Sequence, residues 1–349
     1  MQNLIEFEIY EVKDEAKDTL GVTLKYTGEK QLEFEPGQFL TVLFDLDGEE
    51  IRRGYSIASS PYELPFVQLA IKRQSDGFAS NHLMDQFTEG KRIKTLPPLG
   101  NFTVETNANH HKNYIMIGAG SGITPLASMI KTILRDEPNS KVFLIYGNRD
   151  EESIIYNKMF NDLFEEYPNF KIVHSLSNPS ENWTGLKGRI SKEKTVELVK
   201  SFINETEKGE YFVCGPEGMM ENVFEALKEL NVSKNQIHRE VYTTKVVEDD
   251  ESSEEISREV TIILEGKKHK ITVNPDESIL ERALAEGLEV PNSCQYGSCG
   301  TCKAKLLSGK LKLVDQSVLT EEEVNQGYCL TCVGYPLSDN VVILYEDRF

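Results

Sequence analysis

Along residues 1–108 apolar and polar positions alternate in short runs rich in Val, Ile, Phe and Tyr: "LIEFEIYEV", "LGVTLKY", "FLTVLFDL" and "VQLAIKR". The turn signals "TGEK", "EPG" and "DGEE" separate them, and a period of two between turns predicts a small antiparallel β-barrel. From Tyr114 the rhythm changes. "YIMIG", "KVFLIYG", "FKIVHSL" and "YFVCG" are apolar runs of strand length, whereas "PLASMIKTILRD", "SIIYNKMFNDLFEEY", "SKEKTVELVKSFI" and "MMENVFEALKEL" carry helical spacing. Strands alternating with helices over residues 109–245 predict an α/β domain, a parallel sheet covered on both faces. At 246–257, "VVEDDESSEEIS" holds six acidic side chains and almost nothing apolar after its first two residues. Burial there cannot offset the entropy of ordering, which predicts an acidic linker. Beyond it, "EVTIILEGKKHKITV" predicts a strand hairpin. Ser278 and Glu281 then form an S-x-x-E capping box opening the helix "ILERALAEG", in a third domain spanning residues 258–349.

A length of 349 residues fits two or three domains, each with its own core. The formal charge of −19, from 57 acidic against 38 basic side chains, repels phosphate backbones and argues against a nucleic-acid partner. It keeps the chain soluble and suits the steering of a basic protein partner. The start "MQNLIEFEIYEVKDEAK" lacks the basic-then-apolar order of a secretory signal, and no apolar run approaches the about 18 residues of a membrane span. A cytoplasmic chain without a membrane span is expected. In a reducing compartment clustered thiols serve metals or catalysis more often than disulfides. Hydrolase motifs are missing: there is no G-x-S-x-G, no Walker loop and no H-E-x-x-H. The six histidines are scattered, and His110 and His111 fall in a polar interdomain stretch where solvation is expected.

Three of the six cysteines lie in "SCQYGSCGTC", residues 293–302, with Cys329 and Cys332 downstream. Cys299/Cys302 and Cys329/Cys332 are both C-x-x-C pairs and would make a four-thiolate zinc ribbon, leaving Cys294 spare. Alternatively Cys294, Cys299, Cys302 and Cys332 give the C-x4-C-x2-C plus distant cysteine spacing of a [2Fe-2S] centre, leaving Cys329 as a small buried apolar residue. Bridging sulfides seek backbone N–H donors in a closely wrapped loop. Gly297, Ser298, Gly300 and Thr301 supply small positions for that wrapping, which favours the cluster over zinc. The run "PNSCQYGSCGTCKAKLLSG" resembles the cluster loop of plant-type ferredoxins, and the resemblance implies a β-grasp α+β domain.

"GAGSGITP", at 118–125, lies between a predicted strand and a predicted helix, where Gly118 and Gly120 let the backbone approach a pyrophosphate at the helix N-terminus. It departs from G-x-G-x-x-G at Ile123. The next strand ends in "YGNRD", where Arg149 stands to meet a 2′-phosphate, favouring NADPH; the adjacent Asp150 keeps NADH possible. In the barrel region "RRGYSIAS" carries Arg53, Gly54, Tyr55 and Ser56 as R-x-Y-S, "AIKR" follows as Ala70, Ile71, Lys72 and Arg73, and "GFAS" as Gly77, Phe78, Ala79 and Ser80. An arginine, an aromatic with a polar tip and a hydroxyl suit a pyrophosphate, a flat ring and a ring nitrogen. Together with "GSGITP", which adds Thr124 and Pro125, and "CGP", which is Cys214, Gly215 and Pro216, the set resembles the ferredoxin-NADP reductase superfamily over residues 1 to 243. That resemblance implies an FAD-binding barrel and an NAD(P)-binding domain. It implies that Arg53 reaches the flavin diphosphate, Tyr55 stacks on the isoalloxazine and Ser56 bonds near its reactive nitrogen. "AIKR" and "GFAS" would line the FAD phosphates, and Cys214 would stand beside the nicotinamide, with Ser56 and Cys214 as catalytic candidates. "REVY", at 239–242, matches the family's terminal strand only loosely, so Glu240 and Tyr242 are not carried over.

A nicotinamide releases electrons in pairs and an iron-sulfur cluster takes them singly; a flavin handles both, which gives the three cofactors a reason to share one chain. An acidic, self-repelling linker is extended and would let the cluster domain reach first the flavin and then an acceptor. The domain order resembles the reductase components of multicomponent oxygenases, those serving phenylacetyl-CoA epoxidase among them. The resemblance implies electron delivery to a separate terminal oxygenase. A reductase for a ring hydroxylase, a di-iron monooxygenase or a desaturase, and a non-catalytic [2Fe-2S] redox sensor, are the alternatives.

Overall fold

The structure, a computed structural model, describes residues 4–46, 48–74, 77–240, 256–295, 297, 299–314 and 318–346. The chain divides into two compact units, Met1–Glu240 and Val241–Phe349. Of the linker expected at 246–257, residues 246–255 lie outside the described residues, as do Tyr242 and Ser298.

The first unit opens with six antiparallel strands, β1 (Ile5–Ala16), β2 (Thr19–Tyr26), β3 (Phe39–Leu46), β4 (Glu49–Ser56), β5 (Phe66–Lys72) and β6 (Arg92–Thr95), in the order β4-β3-β6-β1-β2-β5. Alternate residues point inward, so Phe7 and Ile9, Val22 and Leu24, Leu40 and Val42, and Val67, Leu69 and Ile71 fill one core. The Ala58 N–H donates to the Gln68 carbonyl at 2.8 Å, drawing edge strands β4 and β5 together. Helix α1 (Phe78–Gln86), between β5 and β6, sends Leu83 into the same core.

The rest of this unit is a parallel sheet in the order β10-β9-β8-β7-β11-β12. Its elements run β7 (Asn113–Ala119), α2 (Ile123–Asp136), β8 (Lys141–Asn148), α3 (Asn157–Glu166), β9 (Phe170–Leu176), β10 (Leu186–Lys187), α4 (Lys192–Phe202), β11 (Gly209–Cys214), α5 (Glu217–Glu229) and β12 (Ile237–Glu240). Every residue from Val142 to Gly147 of β8 is buried, as a strand covered on both faces requires. Two expectations change. The helix expected across "SIIYNKMFNDLFEEY" starts only at Asn157. Asp150 Oδ1 accepts the Ser153 N–H at 3.0 Å to cap a separate short turn, Ile154 and Ile155 are buried beyond it, and Tyr156 stands at φ 60°, which interrupts a right-handed helix. His110, expected in solvent, instead places Nδ1 2.7 Å from Glu137 Oε1. Glu137 is fully buried at the C-terminus of α2, and it also accepts from the Asn107 N–H (3.0 Å), Ser140 Oγ (2.7 Å) and the Tyr114 hydroxyl (3.0 and 3.1 Å). Burial works to raise the pKa of this carboxyl, but the hydrogen bonds outweigh burial and hold it below the usual carboxylate range.

The second unit is a mixed five-stranded sheet in the order β14-β13-β19-β15-β17 with a separate β16–β18 pair. Its strands are β13 (Arg258–Leu264), β14 (Lys267–Val273), β15 (Lys303–Ser308), β16 (Leu311–Leu313), β17 (Tyr328–Leu330), β18 (Gly334–Pro336) and β19 (Val341–Leu344), with helices α6 (Ile279–Ala285) and α7 (Glu321–Asn325). Only β13 and β19 run parallel, at the centre; the other ladders are antiparallel. This is the β-grasp arrangement. The capping box forms as the sequence predicts: Ser278 Oγ accepts the Glu281 N–H at 3.2 Å and Glu281 Oε2 accepts the Ser278 N–H at 2.7 Å. Ile279, Leu280 and Ala283 of α6 pack on the core.

Candidate functional site

In a parallel sheet the ligand crevice lies at the C-terminal strand ends, where the strand order reverses. Here β7 is flanked by β8, the next strand in the chain, and by β11, so the reversal falls between β7 and β11, with Gly118 paired to Cys214. The two glycine-bearing loops meet there. Gly120 takes φ +53°, and a Cβ on Gly122 would sit 2.2 Å from the Cys214 carbonyl oxygen, so only glycine permits the contact. Cys214 is completely buried. Neither α2, which follows Gly122, nor α5, which follows Pro216, has a side-chain cap on its first turn, the arrangement in which helix N–H groups serve an anionic ligand. Thr124 Oγ1 donates to the Ser121 carbonyl, and Pro125 occupies the first turn of α2, where its missing N–H costs nothing.

Strand β4 brings its residues to the same region. Ser56 is buried and donates to Glu240 Oε2 at 3.2 Å, linking the end of β4 to the end of β12 across 184 residues of chain. Tyr55 is half-buried, and burial pushes its phenol up to about 12, with Arg53 pulling the other way. Arg53 is exposed and bonds the Arg52 carbonyl at 2.7 Å; among the described residues no carboxylate pairs with it. On β5, Ala70 and Ile71 are buried, Ile71 within the barrel core. The ammonium of Lys72 lies 3.6 Å from where a Cβ on Gly120 would stand, so this barrel residue reaches the nucleotide loop. Arg73 turns to α1, 3.1 Å from Asn81 Oδ1 and 3.5 Å from Asp85. Gly77 caps α1 without a side chain, Phe78 begins it, Ala79 is buried, and Ser80 Oγ donates to the Gly77 carbonyl at 3.2 Å.

Arg149 follows β8, exposed, with its carbonyl 2.6 Å from the Asn178 N–H. The neighbouring carboxylates are engaged: Asp150 caps its turn, Glu151 accepts from Ser180 Oγ at 2.6 Å, and Glu152 lies 3.5 Å from Lys17.

In the second unit the four thiols of the ferredoxin-like set are buried and fall into two pairs. Cys302 and Cys332 are 3.2 Å apart, and Cys299 is hydrogen-bonded to Cys294, which with Thr301 pulls its thiol down to about 6. The Gly297 N–H points at Cys332 Sγ (3.1 Å) and the Thr301 N–H at Cys299 Sγ (3.5 Å). Among the described residues no three metal-ligating side chains gather around one point. Two pairs with backbone donors fit a two-iron centre better than a single tetrahedral ion. Cys329 sits apart: it pairs with Ala304 in the ladder, donates to the Ala304 carbonyl at 3.5 Å, and burial pushes its thiol up to about 12. The glycine cradle, the exposed Arg53 and the paired thiols thus fit a dinucleotide, a flavin diphosphate and a [2Fe-2S] cluster in turn.

Glu240, which the sequence does not carry over from the family's terminal strand, is brought by the fold to Ser56. Its one signal was the "RE" of "REVY", and its pairing with Ser56 is set only by folding. Among the described residues no helix is long and apolar enough to cross a membrane.

A barrel, a doubly wound nucleotide sheet and a β-grasp cluster unit define a modular redox protein. Family models agree: "Oxidoreductase FAD-binding domain" matches residues 6–104, "Oxidoreductase NAD-binding domain" residues 116–225, and "2Fe-2S iron-sulfur cluster binding domain" residues 262–337. The chain is 34% identical to a component of the 1,2-phenylacetyl-CoA epoxidase of Escherichia coli (strain K12), over 97% of both chains. It is also 34% identical to the ferredoxin reductase component of 3-ketosteroid-9-alpha-monooxygenase of Rhodococcus rhodochrous, over 95% of this chain and 94% of that one. Phthalate dioxygenase reductase shares the fold with a TM-score of 0.64, covering 98% of each chain at 24% identity. The chain belongs to the ferredoxin-NADP reductase-type oxidoreductases that carry a [2Fe-2S] domain at the C-terminal end. It is an NAD(P)H oxidoreductase whose cofactors are FAD and a [2Fe-2S] cluster.

Proposed function

We propose that this protein is the reductase component of a multicomponent oxygenase, passing electrons from NADPH through FAD to the [2Fe-2S] cluster and on to a separate oxygenase such as phenylacetyl-CoA epoxidase. One observation carries the reading most: Cys214, the Gly118–Gly122 loop and the buried Ser56–Glu240 pair meet at a single set of strand ends. Bound FAD supplies the conversion of paired electrons into single ones. The chain's own residues orient and neutralise. Arg53 and the start of α1, from Gly77 to Ser80, hold the flavin diphosphate, with Gly54, Ala70 and Ile71 shaping that wall through their backbone. Tyr55 would present its ring to the flavin, and Ser56 would stand at the flavin's edge with its hydroxyl proton held by the Glu240 carboxylate. Gly118, Gly120, Thr124, Pro125, Gly215 and Pro216 cradle the dinucleotide, and Cys214 closes the nicotinamide side. Lys72 neutralises the dinucleotide rather than FAD, because its ammonium lies at Gly120.

Arg149 favours the 2′-phosphate of NADPH, since the carboxylates beside it are committed to other partners. Cys294, Cys299, Cys302 and Cys332 ligate the cluster. We assign the FAD-binding domain to residues 1–108, the NAD(P)-binding domain to 109–245, the linker to 246–257 and the ferredoxin domain to 258–349, and place the protein in the cytoplasm.

The test uses purified protein given NADPH or NADH with cytochrome c, and then with purified phenylacetyl-CoA epoxidase oxygenase. Sustained flux to cytochrome c together with coupled substrate epoxidation is expected, with NADPH the better donor. Cytochrome flux without epoxidation would leave a reductase for another hydroxylase or a desaturase. No sustained flux at all would return the redox-sensor reading.

A further inference from the structure

Helix α2 carries a line of polar side chains that none of the assigned roles uses. Ser128, Lys131, Thr132, Arg135 and Asp136 recur at steps of three, one, three and one. At about 100° per residue that spacing gathers them within an arc of about 140° on one face of the helix. Ser128 and Thr132 are buried, so each hydroxyl needs a partner. The partners lie on one short stretch of the barrel, residues 59–63, just beyond the end of β4.

Ser128 Oγ donates to the Ser59 carbonyl at 2.6 Å, and Thr132 Oγ1, which donates to the Ser128 carbonyl at 2.8 Å, lies 3.2 Å from Ser60 Oγ. Ser59 is itself tied to β5, its Oγ accepting the Gln68 N–H at 3.1 Å. Lys131 Nζ stands 2.6 Å from Glu63 Oε2, the oxygen that also accepts the Ser60 N–H at 2.5 Å. The Arg135 guanidinium lies over the Tyr62 ring, 3.7 Å from its centre, and the Tyr62 hydroxyl donates to Asp136 Oδ2 at 2.8 Å. The Lys131 side chain is only 13% exposed, and burial holds its pKa below the ordinary lysine value, with Glu63 pulling the other way. A partly buried ion pair adds little net stability, because desolvation offsets the attraction. What it supplies is registry: hydrogen bonds and charges match in one alignment, where apolar faces would slide.

Both sides of this seam lead directly to the reacting groups. Back along α2 from Ser128, Gly122 of the nucleotide loop is about 9 Å away at about 1.5 Å per residue. Back along the barrel from Ser59, the chain enters β4 at Ser56 and Tyr55. We infer that the Ser128–Lys131–Thr132 stripe is a register lock between the nucleotide loop and the flavin strand, with Ser128 and Lys131 as positioning residues that set the approach of nicotinamide to flavin. This rests on the reading that the loop holds NADPH and that β4 holds FAD, and deepens it by naming what fixes their separation. In the reaction one hydride, a proton carrying two electrons, leaves the nicotinamide, which is oxidised, and arrives on the flavin, which is reduced. Such a transfer is sensitive to displacements of about 1 Å, so slippage along α2 slows it without loosening either ligand.

Full-length holoprotein is mixed with NADPH in the absence of air, and flavin bleaching is followed by stopped flow across a range of NADPH concentrations. Lys131→Met lowers the rate of flavin reduction at saturating NADPH about ten-fold and leaves the Kd for NADPH within about two-fold, with FAD content and Tm close to wild type. The long-wavelength charge-transfer absorbance of the flavin–nicotinamide pair weakens with it, a signature that a merely structural contact does not move. Ser128→Ala gives the same split between rate and Kd at about three-fold, so a folding defect in one variant does not decide the matter. Wild-type rates and charge-transfer absorbance in the folded variants, or a raised Kd with the saturated rate unchanged, overturn the lock. A wild-type flavin that NADPH does not reduce overturns instead the reading on which it rests.

Discussion

In the second unit three of the four clustered thiols, Cys294, Cys299 and Cys302, come from nine consecutive residues, and one loop presents them. In the first unit Ser56, Lys72, Gly120, Cys214 and Glu240 are drawn from five separate stretches and meet only because strand ends of a barrel and a parallel sheet are brought together. Local spacing supplies three of the four ligands of a metal cluster, which need only reach iron from a wrapped loop. A hydride-transfer site must present a flat ring from one side and a dinucleotide from the other, which no single loop does. The first site therefore depends on packing between its two halves, and the second on a short run of sequence closed by one distant thiol, Cys332.

That contrast is open to attack, most forcefully at the cysteines. Cys294→Ser or Cys332→Ser is expected to abolish the visible absorption of the cluster and the reduction of cytochrome c, while ferricyanide reduction through the flavin continues. Cys329→Ser is expected to leave the absorption intact; the reverse pattern would restore a zinc ribbon. Next in size is Gly122→Ala, whose Cβ would meet the Cys214 carbonyl at 2.2 Å. Shifting the two loops apart is expected to lower kcat/KM for NADPH about 100-fold, read by steady-state kinetics, with the cluster spectrum unchanged.

Smaller and more selective is Lys72→Gln. Loss of one charge-assisted contact is expected to raise the KM for NADPH about ten-fold while FAD content stays constant. A fall in FAD content instead would move Lys72 back to the flavin phosphates. The smallest effect concerns the buried Glu137. Its folded pKa lies below its unfolded value, so its contribution is complete above the ordinary carboxylate pKa of about 4.3 and is lost as pH falls through the lower folded value. The Tm difference between wild type and Glu137→Gln is therefore expected to be largest near neutral pH and to shrink below about pH 4; a pH-independent difference would show that the carboxylate's charge is immaterial.

Much of the fold was legible because its signals are local. Period-two alternation marked β1, β2, β3 and β5, apolar runs marked β7, β8, β9 and β11, and the capping box marked α6. The start of α3 was not legible. Nothing in "SIIYNKMF" distinguishes a helical turn from one that Asp150 caps and Tyr156 interrupts, because the buried positions of Ile154 and Ile155 are set by the surrounding core. His110 was misjudged for the same reason: a polar stretch reads as solvated until a buried carboxylate 27 residues later is folded against it.

By itself the sequence determined the order of the three modules, the C-x4-C-x2-C spacing and the glycine loops, since each is a property of neighbouring residues and of the φ angles and ligand distances they allow. Tertiary structure alone decided that Ser56 faces Glu240, that the Lys72 ammonium of the barrel lies at the loop at Gly120, and that Cys329 turns its thiol to the Ala304 carbonyl while Cys302 and Cys332 face each other. Those outcomes depend on which strand ends and which ladders become neighbours, and contacts between residues far apart in the chain are selected by burial of the whole core rather than by any local preference.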